Sequence, residues 1–162
     1  MLIAACGSSK KSEEGKGSAS AAPATETAEA TAKAFAAAVH AHDLAGIEQT
    51  FATPELLAAS FDCPTDHEGV VYRAKTAREH MEADPHAMDG VEIDIEVHMK
   101  DARTLAKDEA WADCKAKAPV AIQTVELSEH VVEKGAKPED SKDVFTAVQL
   151  GGRWYLVTDS GS

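Results

Sequence analysis

From Val91 to Met99 apolar and polar side chains alternate without a break. Val91, Ile93, Ile95, Val97 and Met99 stand against Glu92, Asp94, Glu96 and His98. A period of two fits an extended strand, because successive side chains leave opposite faces of a pleated backbone. The spacing therefore predicts a strand with one buried and one wet face. Upstream the period differs. Ala28, Ala32, Phe35 and Val39 recur at steps of four, three and four, one stripe of an amphipathic helix of about 15 residues. Thr25 and Thr27 are its candidate N-caps. Asp43 is placed to cap a second short helix with Leu44, Ile47 and Phe51 inward. Thr53-Pro54-Glu55 starts another, with proline at the first helical position, where its missing N–H is harmless. Leu56, Leu57 and Phe61 supply its apolar side. Thr65 and Glu68 have capping-box spacing ahead of the stripe Val70, Ala74, Ala77 and Met81, a further helix that Pro85 stops.

The second half reads as strands. Over 110–118, Ala110, Ala112, Cys114, Ala116 and Ala118 alternate with Trp111, Asp113, Lys115 and Lys117. Val120 to Val132 reads as another strand, with Pro119 marking a break or an edge. Residues 133–143 read as a polar loop. Val144–Leu150 and Arg153–Thr158 flank Gly151-Gly152, a two-residue loop suited to a primed turn. That register sets Gln149 opposite Trp154, Val148 opposite Tyr155, Ala147 opposite Leu156 and Thr146 opposite Val157. Both hairpin faces are then partly apolar. One can pack on the helices; the other needs cover from a pocket, a loop or a second subunit. Helices followed by a run of strands predict an α+β fold, N-terminal helices packed on a curved antiparallel sheet in a single domain over 25–162. No internal repeat is present, and the apolar stretches fall far below the roughly 20 residues of a membrane-spanning helix.

Composition sets the terms for the core. Hydrophobic residues make up 44% of the 162, but aromatics only 5%, so Ala, Val, Ile and Leu must build it. Alanine buries little area, and at roughly 25 cal/mol per Å² each contributes little; a crosslink would help. The net charge of −12 argues against nucleic acid, whose phosphates are met by clustered Lys and Arg. The acidity is uneven: residues 1–24 hold three Lys and two Glu, and the excess of acids lies beyond them.

The opening Ile3-Ala4-Ala5-Cys6 resembles the bacterial lipobox, an aliphatic residue and two small ones before a cysteine. That resemblance implies a thiol at Cys6 that receives diacylglycerol and heads the mature protein, with the bilayer as its partner. Gly7 to Ala24 has the Ser, Gly, Lys, Glu and Ala composition of a flexible tether. Residues 1–24 are thus expected to be a signal remnant, lipobox and tether. Five residues precede Cys6, against a basic segment and an apolar run of about 7–15 residues in a working leader; the expected repair is a start upstream of Met1. The alternative is an unstructured cytosolic tail with a chance cysteine. Gly7 in place of Asp after the cysteine resembles the sorting signal for an outer membrane, facing the periplasm, in a Gram-negative source. Cys63 and Cys114 form an even pair, read as a disulfide in an oxidising compartment or else as two buried thiols. A closed loop of about 50 residues would be worth roughly 4 kcal/mol in the chain-entropy picture.

Ala34-Phe35-Ala36-Ala37-Ala38-Val39-His40-Ala41-His42-Asp43-Leu44-Ala45-Gly46-Ile47 resembles the opening helices of the nuclear-transport-factor-2-like, or cystatin-like, superfamily. Val148-Gln149-Leu150-Gly151-Gly152-Arg153-Trp154-Tyr155-Leu156-Val157 is similar to its last hairpin. The resemblance implies a helix-packed curved sheet forming a cone with a pocket. Its members include isomerases, dehydratases, ligand carriers and lipoproteins of no known activity. Catalytic members carry an Asp or Tyr inside the cone, and no motif marks Tyr72 or Tyr155 for that role.

Other chemistry is thin. His40 and His42 lie two apart at a helix end, where meeting the macrodipole is the plainer reading than a metal. His80, Asp84, His86, Asp89 and His98 form a loose group, of which zinc would need three or four converging. Glu92, Asp94 and Glu96 read as a solvated face that discourages edge pairing. Gly151-Gly152 is a turn, not a phosphate loop, and no motif asks for a cofactor. The expectation is a non-enzymatic binding or interaction module of unidentified ligand. The alternative is an enzyme or carrier using a cone pocket, and a homodimer through the sheet face is a third possibility. A cone filled by Phe35, Phe51 and Trp154 would favour the first, and an enclosed cavity with an acid, His or Tyr at its base the second.

Overall fold

The computed structural model of the chain describes residues 26–64 and 89–158. Three helices come first among them: α1 (Ala28–His40), α2 (Leu44–Thr50) and α3 (Pro54–Ser60). Strands follow: β1 (Phe61–Asp62), β2 (Val91–Leu105), β3 (Ala110–Trp111), β4 (Cys114–Ala116), β5 (Val120–Glu133), β6 (Glu139–Leu150) and β7 (Arg153–Thr158). The fold is α+β. The tail with Cys6, the helix expected after Thr65, and Tyr72, His80, Asp84 and His86 lie outside the described residues.

Each helix starts where a side-chain oxygen can take an orphan backbone N–H. Thr27 Oγ1 accepts from Ala30 N at 3.0 Å, Asp43 Oδ1 from Gly46 N at 3.1 Å and Thr53 Oγ1 from Leu56 N at 3.3 Å. Pro54 occupies the first turn of α3. The α1 stripe is buried at Ala28, Ala32 and Phe35 and half-buried at Val39. Thr31 lies on the same side, fully buried, its hydroxyl 3.2 Å from the carbonyls of both Thr27 and Trp154. That bond fastens the helix to β7.

β2, β5, β6 and β7 form an antiparallel sheet in that order. The last hairpin has the expected register, with Ala147 opposite Leu156 and Val148 opposite Tyr155. Gly151 and Gly152 both take positive φ, +58° and +82°, as a primed turn requires. A smaller antiparallel sheet has the order β1-β4-β3.

Three expectations are corrected. The strand starting at Val91 continues to Leu105 through an irregularity between Met99 and Ala102, which shifts the phase. The alternation over 110–118 is not one strand. It folds back at Ala112-Asp113, so Trp111 pairs with Cys114, and Ala112 takes a φ of +49°. Residues 139–143, expected in a loop, belong to β6 and pair with β5, Asp140 opposite His130 and Lys142 opposite Ser128.

The large sheet is apolar on both sides. Facing α1 are Val125, Leu127, Ala147 and Leu156, which join Ala28, Ala32 and Phe35 in one cluster. On the opposite face Ile122, Val148, Leu150 and Val157 join Leu57, Phe61, Leu105, Cys114 and Ala116. The hairpin face that needed cover thus receives it from α3, β1 and the β3–β4 hairpin of the same chain. Cys63 and Cys114 are joined in a disulfide, 51 residues apart in sequence.

Gly46 shows local packing overruling propensity. A Cβ there would lie 2.5 Å from Asp43 Oδ2 and 3.1 Å from Ala38 Cβ. Alanine is the better helix former by about 1 kcal/mol, yet it would push Asp43 out of its cap and α2 away from α1. The lost cap costs about 1 kcal/mol, so Gly46→Ala is expected to gain none of that propensity in urea unfolding; a variant stabilised by about 1 kcal/mol would contradict this packing.

Candidate functional site

Beyond the covers, the face of the sheet away from α1 turns polar. Residues directly opposite one another on paired strands share a face, so the register lays out rows. Asp94, His130 and Asp140 form one; Glu96, Ser128 and Lys142 the next; His98, Glu126 and Val144 the third. The first two rows, with the adjoining Glu129 and Ser141, line a depression of about 620 Å³.

An imidazole nitrogen of His130 lies 2.7 Å from Asp140 Oδ1. Ser141 Oγ donates to Glu129 Oε2 at 3.1 Å. Glu126 Oε1 lies 3.5 Å from Lys142 Nζ and 3.9 Å from Lys100 Nζ. The Asp140 side chain is 84% exposed and that of Asp94 76%. Exposed pairs of this kind are worth about 0–1 kcal/mol each. The arrangement presents carboxylates, a lysine and an imidazole to water. It can meet a polar partner.

On the side of the sheet facing α1, aromatic rings cluster. Phe35, Phe51 and Phe145 meet with ring centroids 5.6–5.9 Å apart. Half-buried Trp154, Ile95, Val97 and Met99 pack around them. On the opposite side Phe61 and Trp111 lie 5.2 Å apart, and Tyr155 packs against their cluster.

Other candidates are scattered. His40, in the last turn of α1, reaches across to β2, with Nδ1 3.1 Å from Ile93 O and 3.5 Å from Asp94 Oδ1. It joins helix to sheet edge. His42 takes a φ of +53° in the turn to α2. Glu92, Asp94 and Glu96 are exposed. His98 Nε2 lies 3.6 Å from Glu96 Oε2. Among the described residues no three His, Cys, Asp or Glu side chains are placed to hold a metal ion. Sequence reasoning missed His130, Asp140 and Lys142 because the polar run after Glu133 carries no apolar alternation to mark a strand. Their pairing becomes visible only once β6 is extended back to Glu139.

No protein-family model matches the chain, and neither does any curated protein or solved structure.

Among the described residues, two carboxylates are held below the usual range. The backbone N–H of Ala106 lowers Glu109, and Arg103, whose Nη1 lies 2.6 Å from Glu109 Oε1, adds to it. Glu55 is lowered by its own backbone N–H and the Thr53 hydroxyl. A depressed carboxylate contributes stability that is present above its unfolded pKa and lost as pH falls through the folded one. Glu109→Gln should therefore lower Tm at neutral pH, and the gap to the parent should close on acidification. A gap that widens in acid would contradict the Ala106–Glu109 bond.

Proposed function

We propose that the chain is a lipid-anchored protein of a bacterial cell envelope, whose α+β domain serves as a non-enzymatic binding or interaction module. The observation that carries the reading is Ile3-Ala4-Ala5-Cys6 followed by a polar stretch up to Ala24. Cys6 then bears the diacylglycerol, and residues 7–24 space the domain from the bilayer. Gly7 in the position after the cysteine favours an outer membrane, with the domain in the periplasm.

Two features of the fold support this reading. The Cys63–Cys114 bond suits an oxidising compartment. The rings of Phe35, Phe51 and Phe145 pack against one another between the helices and the sheet, which favours recognition by the outer surface over catalysis within. Helices followed by a long antiparallel meander also support membership of the nuclear-transport-factor-2-like superfamily, which we propose for the domain.

The test is metabolic labelling with an alkyne-bearing palmitate, the protein expressed from its own locus. The parent is expected to take label and sediment with membranes. Cys6→Ser should take none and move to the soluble fraction with its thermal transition unchanged. A parent that stays soluble and unlabelled would overturn the anchoring.

A further inference from the structure

β1 and β4 pair Phe61 with Ala116 and Asp62 with Lys115. One step further along this register, Cys63 stands directly opposite Cys114, with Cα atoms 4.2 Å apart. That spacing is close to that of a non-hydrogen-bonded antiparallel pair. The disulfide therefore joins two separate arms: α3 with β1, and the β3–β4 hairpin. Both lie over the sheet face formed by Ile122, Val148, Leu150 and Val157, each at most 6% exposed.

The contacts that accompany the bond are small. β1–β4 and β3–β4 each pair two residues, and ladders so short are marginal alone. Lys117 N donates to Ser60 O at 2.9 Å and Lys117 Nζ to Ala58 O at 2.6 Å. Phe61 and Trp111 touch. The hairpin turns through Ala112 in the left-handed region, which an L-residue enters at a cost. By contrast, β5 pairs along most of its length with β2 on one side and β6 on the other. Among the described residues the covers are joined by the shortest ladders of the fold, and one covalent bond closes them.

We propose that Cys63–Cys114 is a redox-controlled latch, whose reduction by a dithiol opens the two arms and uncovers the apolar face beneath while the large sheet stays intact. Cys63 is half-buried and Cys114 buried, so the incoming thiolate attacks Cys63 Sγ. The S–S bond breaks, and its electron pair leaves on Cys114 Sγ, which takes up a proton. The second thiolate of the reductant then attacks the mixed disulfide and releases Cys63, which is protonated in turn. Two protein thiols and one oxidised dithiol result. Reoxidation reverses the sequence and closes the arms.

The test uses the full chain carrying Cys6→Ser, so that the counted thiols are those of the latch. Dithiothreitol is the probe, and amide exchange is followed by mass spectrometry before and after reduction without denaturant. Two thiols are expected to become titratable. Amides of 58–62 and 110–116 should exchange on the order of tenfold faster or more, while those of 122–127 and 145–157 keep their protection. The full chain carrying Cys63→Ala and Cys114→Ala should show the reduced pattern without reductant. Three results would overturn the proposal: no thiols released from the folded protein, thiols released with exchange unchanged, or protection lost from the sheet in the same step. A double variant that fails to fold falls under the last.

Discussion

β5, β6 and β7 are apolar on both faces over much of the same length, and the architecture answers that constraint. Val125, Leu127, Ala147 and Leu156 need cover on one side. Ile122, Val148, Leu150 and Val157 need it on the other. A single amphipathic helix covers one face. α1 takes the first, fastened by its buried Thr31 to the carbonyl of Trp154. The second goes to pieces drawn from two distant parts of the chain, α3 with β1 and the β3–β4 hairpin, and a disulfide joins them. Where the strands run past these covers, the face away from α1 turns polar, with Asp94, His130 and Asp140 in one row.

The scarcity of large side chains explains how the interior is filled. Phe35, Phe51 and Phe145 come from α1, the end of α2 and β6, and converge on one spot. Each supplies area that several alanines would be needed to match. The Phe61–Trp111 pair does the same beneath the second cover. Among the described residues these aromatics are taken up by packing, which fits the surface recognition proposed for the domain.

Much of this is legible in the amino-acid order. The stripe from Ala28 to Val39, the caps at Thr27, Asp43 and Thr53 and the register across Gly151-Gly152 follow from local rules that tertiary contacts reinforce. The cysteine pair reads correctly from its even number. The misreadings share a cause. A two-residue turn preserves the phase of alternation, so Ala110 to Ala118 passes for one strand, and Ala112 carries no glycine signal for its positive φ. The polar half of β6 has no buried face to mark it, and with it went Lys142, Asp140 and the latter's partner His130. The need for a second cover is visible in the hairpin, but its source is not, because residues 54–62 and 110–116 meet there only through long-range packing.

The central claim is that the sheet is buried on both faces, and Leu150 tests it most directly. It is 2% exposed, on the face away from α1. Leu150→Ala, measured by urea unfolding of the oxidised protein, is predicted to cost about 2–5 kcal/mol, as for a core leucine. A loss within about 0.5 kcal/mol, the usual range for a surface substitution, would mean that this face is open to water and the covers are not where the fold places them.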